Sequence, residues 1–127
     1  MGITCGTDMI EIARIKEAIE RSGEKFLNEI FTEREIEFCR SRNRAQYQHF
    51  AARFAAKEAI FKAISCYLEN KYDVTWKDVE IWNEENGRPK VKFLKKELEK
   101  ITMDLSISHC KDYAIANVIA VYEKEQI

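Results

Sequence analysis

The sequence predicts an α+β fold in which helices pack on an antiparallel sheet, and three observations lead to this prediction. The first residues alternate in polarity as a strand does, and the middle of the chain carries apolar residues at helical spacing. The last part of the chain returns to a period of two. Because strands and helices are grouped instead of alternating, the pattern is typical of α+β proteins. The predicted order is β-α-α-α-β-β-α-β-β.

The N-terminal third is predicted to contain one strand and two helices. Residues 2–9 alternate enough to form a strand, and apolar residues at helical spacing over 12–19 then indicate an amphipathic helix. This helix is interrupted at Ser22-Gly23. Thr32 and Glu35 have the spacing of a capping box, so a second helix is expected to begin near Thr32.

The rest of the chain is predicted to hold a long helix, a hairpin, a short helix and two strands. The long helix covers about residues 45–68, and the hairpin covers 79–93 with its turn at the letters ENGRP. The letters LKKELEKI at 94–101 predict a short helix. Segments 103–110 and 113–122 read as the two last strands.

Length and composition suit one globular domain over residues 1–127 and exclude several classes of protein. The net charge is −1, so no overall field selects a partner and charge must be considered locally. The four cysteines lie far apart without a CxxC pair, which favours neither a zinc cluster nor a disulfide framework. No apolar stretch approaches the length of a membrane span, and we expect a cytoplasmic protein with no membrane partner.

The long helix combines a buried composition with charge. Its letters FAARFAAKEAIFKAI place Arg53 and Lys57 on one flank of an aromatic stripe, and Glu58 and Lys62 on the other. One interpretation is an ion pair between Glu58 and Lys62 on a solvated edge. The other is a site for an anionic ligand, because cations are concentrated in this region. The further cations are Arg40, Arg42 and Arg44.

A divalent metal is one way to use a lone carboxylate among cations. Magnesium commonly takes one or two carboxylates together with phosphate oxygens, and Asp8 is the best second candidate beside Glu58. Asp8 has an equally good structural interpretation, as the N-cap of the first helix with Glu11 at the third position. The residues alone leave both interpretations open.

Two further places are ambiguous. Asn86-Gly87-Arg88 is most simply a hairpin turn, although a glycine turn beside an arginine also suits a phosphate. His109 shares a strand face with Leu105 and Ile107, so a half-buried, hydrogen-bonded histidine is the default. Cys110 follows His109 directly, and neighbours on a strand point to opposite faces, which excludes a catalytic dyad.

Four motifs in order resemble one enzyme family over nearly the whole chain. They are GTDMIEIARI, FAARFAAKEAIFKA, WKDVEIWNEENGRP and DLSISHCKDYAIA. Together they resemble the holo-[acyl-carrier-protein] synthase family, the short single-domain branch of the 4′-phosphopantetheinyl transferases. The resemblance implies the 4′-phosphopantetheinyl transferase fold.

The resemblance also implies a reaction. Such enzymes move the phosphopantetheine arm of coenzyme A onto a serine of an apo-acyl-carrier protein, with Mg²⁺, and release adenosine 3′,5′-bisphosphate for fatty acid biosynthesis. By resemblance, Asp8 and Glu58 are metal ligands, and Asp8, Glu58 and Lys62 form the catalytic set. The implied coenzyme A contacts are Arg53, Lys62, Asn86, Gly87, Arg88, Pro89, Ser108 and His109.

The same resemblance implies an assembly and a docking surface. The family is trimeric with active sites shared between subunits, and its first helix offers basic residues to the acidic carrier protein. Arg14 and Arg21 match that role. The chain departs from the family after Lys62, where it has ISCYL in place of a glycine-containing loop, and at Phe61, where serine is common.

Two other functions remain as alternatives. A domain that binds RNA or a nucleotide without chemistry would use the arginines at 40–44 and exposed aromatic rings. A catalytically silent relative would only dock carrier proteins, and it would need neither Asp8 nor Glu58. The resemblance favours the enzyme and predicts no nucleic-acid partner.

Overall fold

The computed structural model describes residues 2–68 and 73–123. Within these ranges the chain forms helices and antiparallel strands, so the predicted α+β class is confirmed. In chain order the elements are β1 (Gly2–Glu11), α1 (Ile12–Ser22), α2 (Glu24–Ile30), α3 (Glu33–Arg40), α4 (Gln46–Ile64), β2 (Val79–Asn83), β3 (Pro89–Phe93), β4 (Ile101–His109) and β5 (Tyr113–Tyr122).

The strands form a three-stranded sheet and a separate hairpin. The sheet has the order β1-β5-β4, with Gly2 opposite Tyr122 and Glu11 opposite Tyr113. Strand β4 pairs with the other edge of β5, and β2 pairs with β3 alone. One face of the sheet packs on α4, the longest helix of the described part of the chain. The alternation of each strand therefore separates a buried face from an exposed one.

Helix α4 lies directly on β1 because the strand has a glycine at the contact. A Cβ atom added to Gly6 would lie 1.9 Å from the carbonyl oxygen of Ala59. Ala59 and Ala63 are fully buried, and the Thr4 hydroxyl donates a hydrogen bond to the Ala63 carbonyl at 2.5 Å. Small residues on both elements thus allow a backbone-to-backbone approach. This contact places the C-terminal half of α4 beside the end of β1.

A buried ion pair joins the helices to the hairpin, and we call it the interior joint. Lys57 Nζ lies 2.7 Å from Glu35 Oε1, and both side chains are fully buried. Lys57 also donates to the carbonyls of Ile30 and Trp76, at 2.8 and 2.9 Å. Glu35 Oε2 accepts from the Ile81 amide at 2.8 Å. All three ammonium hydrogens have acceptors, so the joint links α2, α3, α4 and β2.

The predicted elements need three corrections. Helix α2 was not predicted, and it starts immediately after Gly23, where the first helix was expected only to end. The predicted helix over 94–101 is wrong, since the structure has only a 3-10 turn at Lys96–Leu98. Helix α4 ends at Ile64 and is followed by a 3-10 turn at Ser65–Tyr67, so the long helix is shorter than predicted. Short or polar segments cannot sustain an α-helix without a packed face.

Candidate active site

Asp8 lies inside a strand and does not cap a helix. Strand β1 continues to Glu11, and α1 begins at Ile12 with Glu11 as its N-cap residue. Among the residues that the structure describes, no side chain forms a capping hydrogen bond at that end. The capping interpretation of Asp8 is therefore wrong, and its carboxylate is available for another partner.

Asp8 and Glu58 line the same cavity. The cavity has a volume of about 360 Å³, and its charged lining also includes Lys62 and Arg14. Lys62 Nζ donates to Asp8 Oδ1 at 3.1 Å and to the Thr7 carbonyl at 2.9 Å. Lys62 thus takes Asp8, a residue of β1, as its ion-pair partner, where the sequence suggested Glu58 on its own helix. The structure brings together the three residues predicted to be catalytic.

The Asp8 and Glu58 carboxylates of this cavity interact electrostatically. Burial raises the pKa of the Glu58 carboxyl above its ordinary value, and the charge of Asp8 raises it further, while Lys62 opposes the shift. A divalent cation bound between two neighbouring carboxylates reduces their electrostatic repulsion and favours the ionised form of both. No group of three or more His, Cys, Asp or Glu side chains forms a metal cluster in residues 2–68 and 73–123. Magnesium needs only one or two carboxylates, so Asp8 and Glu58 fit it.

Arg53 and Lys57 do not line this cavity, so the two charged flanks of the helix have different surroundings. Lys57 belongs to the interior joint. Arg53 is 2% exposed, and its Nη2 donates to Asn83 Oδ1 at 2.7 Å while its guanidinium lies over the Phe38 ring. Arg53 lines a second cavity of about 600 Å³ that also includes Trp82. Its predicted contact with coenzyme A stays a prediction.

The hairpin turn lies against the main sheet. Gly87 has a φ of +87°, and the Asn86 side chain accepts from the Arg88 amide at 2.9 Å. Arg88 Nη2 donates to Asp104 Oδ2 on β4 at 2.8 Å. This hydrogen bond lowers the pKa of the Asp104 carboxyl. Pro89 begins β3, and the turn does not line the cavity that contains Asp8.

Ser108 and His109 end strand β4, and both are exposed, so the expectation of a half-buried histidine is wrong. His109 nevertheless has a partner, since its Nδ1 lies 2.7 Å from the side-chain amide nitrogen of Gln48. No sequence pattern pointed to Gln48, because it belongs to a different element and lies 61 residues away. These residues also lie outside the lining of the Asp8 cavity.

The remaining arginines lie either on helix α1 or in helix α3 and the segment that follows it. Arg14 lines the Asp8 cavity, and Arg21 lies in the last turn of α1 on the surface. Arg40 pairs with Glu24, and Arg42 lies over the Phe38 ring. Two of the three arginines at 40–44 therefore already interact with other side chains of this chain.

None of the helices in the described ranges has the length and hydrophobicity of a transmembrane helix.

Comparison with known proteins shows the family of this chain. The family model of the 4′-phosphopantetheinyl transferase superfamily matches residues 4–118. The chain therefore belongs to this superfamily of transferases. It is similar to holo-[acyl-carrier-protein] synthases, with 40% identity over 125 residues to the one from Ruminiclostridium cellulolyticum, covering 94% of this chain and 92% of that protein. The corresponding protein of Dehalococcoides mccartyi (strain ATCC BAA-2266 / KCTC 15142 / 195) is 44% identical over 121 residues, covering 91% and 95%.

Solved structures agree with this assignment. The Chronobacterium ammoniagenes ACPS-CoA complex superimposes with a TM-score of 0.82 at 27% identity, covering 98% of this chain and all of the other. The Helicobacter pylori holo-[acyl-carrier-protein] synthase in complex with coenzyme A has a TM-score of 0.80 at 28% identity, covering 92% and 99%. The fold predicted from the sequence motifs is confirmed.

Proposed function

We propose that this protein transfers the 4′-phosphopantetheine moiety of coenzyme A to a serine of an apo-acyl-carrier protein. The observation that carries the proposal is the convergence of Asp8, Glu58 and Lys62 on one cavity in a chain of this superfamily. Coenzyme A is supported as substrate by the relatives whose structures contain it. The reaction belongs to fatty acid biosynthesis in the cytoplasm.

Asp8 and Glu58 are the residues that would hold Mg²⁺. The ion would supply positive charge to the pyrophosphate of coenzyme A, where negative charge develops during transfer. The repulsion between the two carboxylates supports this assignment. Burial is the larger cause of the raised pKa of the Glu58 carboxyl, and the charge of Asp8 is the second cause. Lys62 holds the Asp8 carboxylate in place through its hydrogen bond.

The transfer itself forms one P–O bond and breaks another. The serine oxygen of the carrier bonds to the phosphorus that bears the pantetheine arm, and the bond from that phosphorus to the bridging oxygen breaks. The bridging oxygen leaves with adenosine 3′,5′-bisphosphate. Glu58, whose carboxylate lines the cavity, takes the serine proton. Lys62 offsets charge on the leaving group, because phosphoryl transfer depends mainly on positioning and electrostatics.

The positions of the predicted coenzyme A contacts are consistent with a site shared between chains. The turn from Asn86 to Pro89 and the pair Ser108 and His109 lie outside the Asp8 cavity of their own chain. The outer face of the main sheet carries Ile3, Met9 and Ile119, which are 63%, 58% and 50% exposed. Exposed apolar side chains on one sheet face favour an interface. We therefore propose a homotrimer in which the turn and His109 of one subunit complete the cavity of its neighbour.

Helix α1 is the proposed docking surface for the carrier. Arg14 lines the cavity, and Arg21 lies two turns further along the same helix. An acidic carrier that pairs with both arginines would have its serine delivered beside Glu58. Charge complementarity of this kind accelerates association and fixes the orientation of the partner.

The test is a mass measurement on the carrier. The protein is incubated with coenzyme A, Mg²⁺ and an apo-acyl-carrier protein, and the carrier is then weighed by mass spectrometry. We expect a gain of one phosphopantetheine, no gain on a carrier whose serine is alanine, and no gain with a chelator present. Absence of any gain on several different apo carriers would refute the proposal.

A further inference from the structure

A hydrogen bond outside the cavity fixes the orientation of His109. The Gln48 side-chain nitrogen lies 2.7 Å from His109 Nδ1 and connects the first turn of α4 to the end of β4. An amide nitrogen donates and does not accept, so Nδ1 is the acceptor. The proton of the neutral ring then stands on Nε2. Gln48 thus determines both the rotation of the ring and the nitrogen that remains a donor.

The surroundings of this bond are cationic. Burial lowers the pKa of the His49 imidazole below its ordinary value, and the charges of Arg53, Arg42 and His109 lower it further. Arg42 and Arg53 both lie over the Phe38 ring, at 4.6 and 4.2 Å from its centroid. Two histidines therefore lie beside two arginines, and the arginines carry the positive charge. Such a concentration of positive charge attracts an anionic group.

The same cluster is short of hydrogen-bond acceptors. Arg53 is 2% exposed, and its Nε has no hydrogen-bond partner in the part of the chain that the structure describes. Its Nη2 is bonded to Asn83. A cluster in which donors exceed acceptors is suited to a ligand rich in anionic oxygens. The nucleotide end of coenzyme A, with its phosphates, has this chemistry.

We propose that Gln48 is a positioning residue for coenzyme A: it holds His109 so that Nε2–H donates to an anionic oxygen of the nucleotide end. The inference rests on the proposed function, in which His109 is one of the coenzyme A contacts. Gln48 itself does not touch the ligand and acts only through the imidazole. The alternative is that Gln48 merely ties α4 to β4, in which case its loss changes stability and nothing else.

The experiment compares wild type with Gln48→Ala, His109→Ala and the double variant. Each full-length protein is titrated calorimetrically with adenosine 3′,5′-bisphosphate, which represents the nucleotide end alone. Loss of one positioned hydrogen bond predicts affinity lower by about three- to tenfold for Gln48→Ala. If Gln48 acts through His109, the double variant binds no more weakly than His109→Ala alone.

Two further measurements separate positioning from a structural role. Nitrogen-15 NMR of the imidazole is expected to show the Nε2–H tautomer of His109 in wild type and a mixture in Gln48→Ala. In the transfer assay, Gln48→Ala should raise KM for coenzyme A without changing kcat or KM for the carrier. Gln46→Ala is the matched control, because Gln46 lies on the same helix and its side chain donates to the Asn43 carbonyl and not to His109.

The outcomes distinguish this inference from the proposed function. If wild type modifies the carrier and Gln48→Ala binds adenosine 3′,5′-bisphosphate as tightly as wild type, the inference is wrong and the proposed function stands. Additive losses in the double variant also overturn it, since they mean that the two side chains act separately. If wild type neither binds the nucleotide nor modifies the carrier, both proposals fail.

Discussion

Removing Lys57 tests the physical account of the interior joint. In Lys57→Met the Glu35 carboxylate stays fully buried and keeps its bonds to the Thr32 and Ile81 amides, but it loses its only ion-pair partner in the described part of the chain. Two carbonyl groups lose their donor as well. Removal of one member of a buried ion pair typically costs about 3–5 kcal/mol. We expect the free energy of unfolding to fall by that amount.

The loss can be measured by urea unfolding, followed by tryptophan fluorescence. In thermal unfolding of a chain of this size, a loss of 1 kcal/mol in stability lowers Tm by roughly 4 °C, so Tm should fall by about 12–20 °C. Lys92→Met is the matched control, since Lys92 is an exposed lysine on β3. The same change in side chain there should alter the free energy of unfolding by about 0.5 kcal/mol or less.

A second variant shows whether the unpaired charge causes the loss. Adding Glu35→Gln to Lys57→Met removes the buried charge while leaving an oxygen that can accept from the Thr32 or Ile81 amide. We expect the double variant to be more stable than Lys57→Met alone. The reasoning is refuted if Lys57→Met loses less than about 1 kcal/mol, or if the second change makes the protein still less stable.

Three other predictions concern the cavity, the helix contact and the sheet face. Glu58→Gln should lower transfer by at least about 100-fold. The Tm of Glu58→Gln at neutral pH should match or exceed that of wild type, because a carboxyl whose pKa is raised in the folded state destabilises that state once it is ionised. This gain in Tm should vanish below pH 4.5, the ordinary pKa of the group, where the carboxyl is protonated in both states. A gain in Tm that persists below pH 4.5 would contradict the argument. Gly6→Ala should cost about 1–3 kcal/mol in urea unfolding because its Cβ meets the Ala59 backbone, whereas Gly2→Ala meets only the Tyr67 side chain and should cost less. Ile119→Asp should convert the proposed trimer into monomers in sedimentation velocity, and an unchanged sedimentation coefficient would exclude the sheet face as the interface.

Local sequence patterns predicted the parts of the fold that depend on neighbouring residues. The capping box is present in both directions, with the Thr32 amide donating to Glu35 Oε1 and the Glu35 amide donating to the Thr32 hydroxyl. The hairpin and the last two strands form close to where the sequence predicted them, and β5 shows the expected alternation of burial, whereas in β2 the residues Val79, Glu80 and Ile81 are all buried. These features depend on interactions a few residues apart, so one stretch of sequence contains the information that determines them.

The surroundings of charged residues on α4 were not predictable in the same way. Helical spacing places Arg53 and Lys57 on one flank, but it does not show that α3 and the hairpin cover that flank. The acceptors of Lys57 come from Ile30, Glu35 and Trp76, at separations of 27, 22 and 19 residues. Only the tertiary fold shows that a lysine in this position is buried and satisfied. The sequence therefore indicated the charge correctly and its environment incorrectly.

The alternatives for Asp8 were also decided by a boundary that the pattern leaves uncertain. A helix beginning just after Asp8 would have made this residue a cap, and a strand extending to Glu11 makes it a cavity residue. The end of β1 depends on its pairing with β5, a strand that is distant in sequence. This pairing continues to the Glu11–Tyr113 pair, so the strand extends past Asp8. The site could thus be proposed from the sequence, although its geometry could not.

The contact between Gly6 and Ala59 restricts how the separation of the two carboxylates can change. Asp8 lies two residues beyond Gly6 on β1, and Glu58 immediately precedes Ala59 on α4. Because main chain approaches main chain at this point, we expect the spacing of the two carboxylates to depend more on the backbones of β1 and α4 than on the surrounding core side chains. If these carboxylates hold the proposed Mg²⁺, accommodating a larger cation would require the strand to bend or the helix to tilt. The proposed coenzyme A contacts, in the hairpin turn and at His109, lie on other elements, so changing them would leave this backbone contact in place.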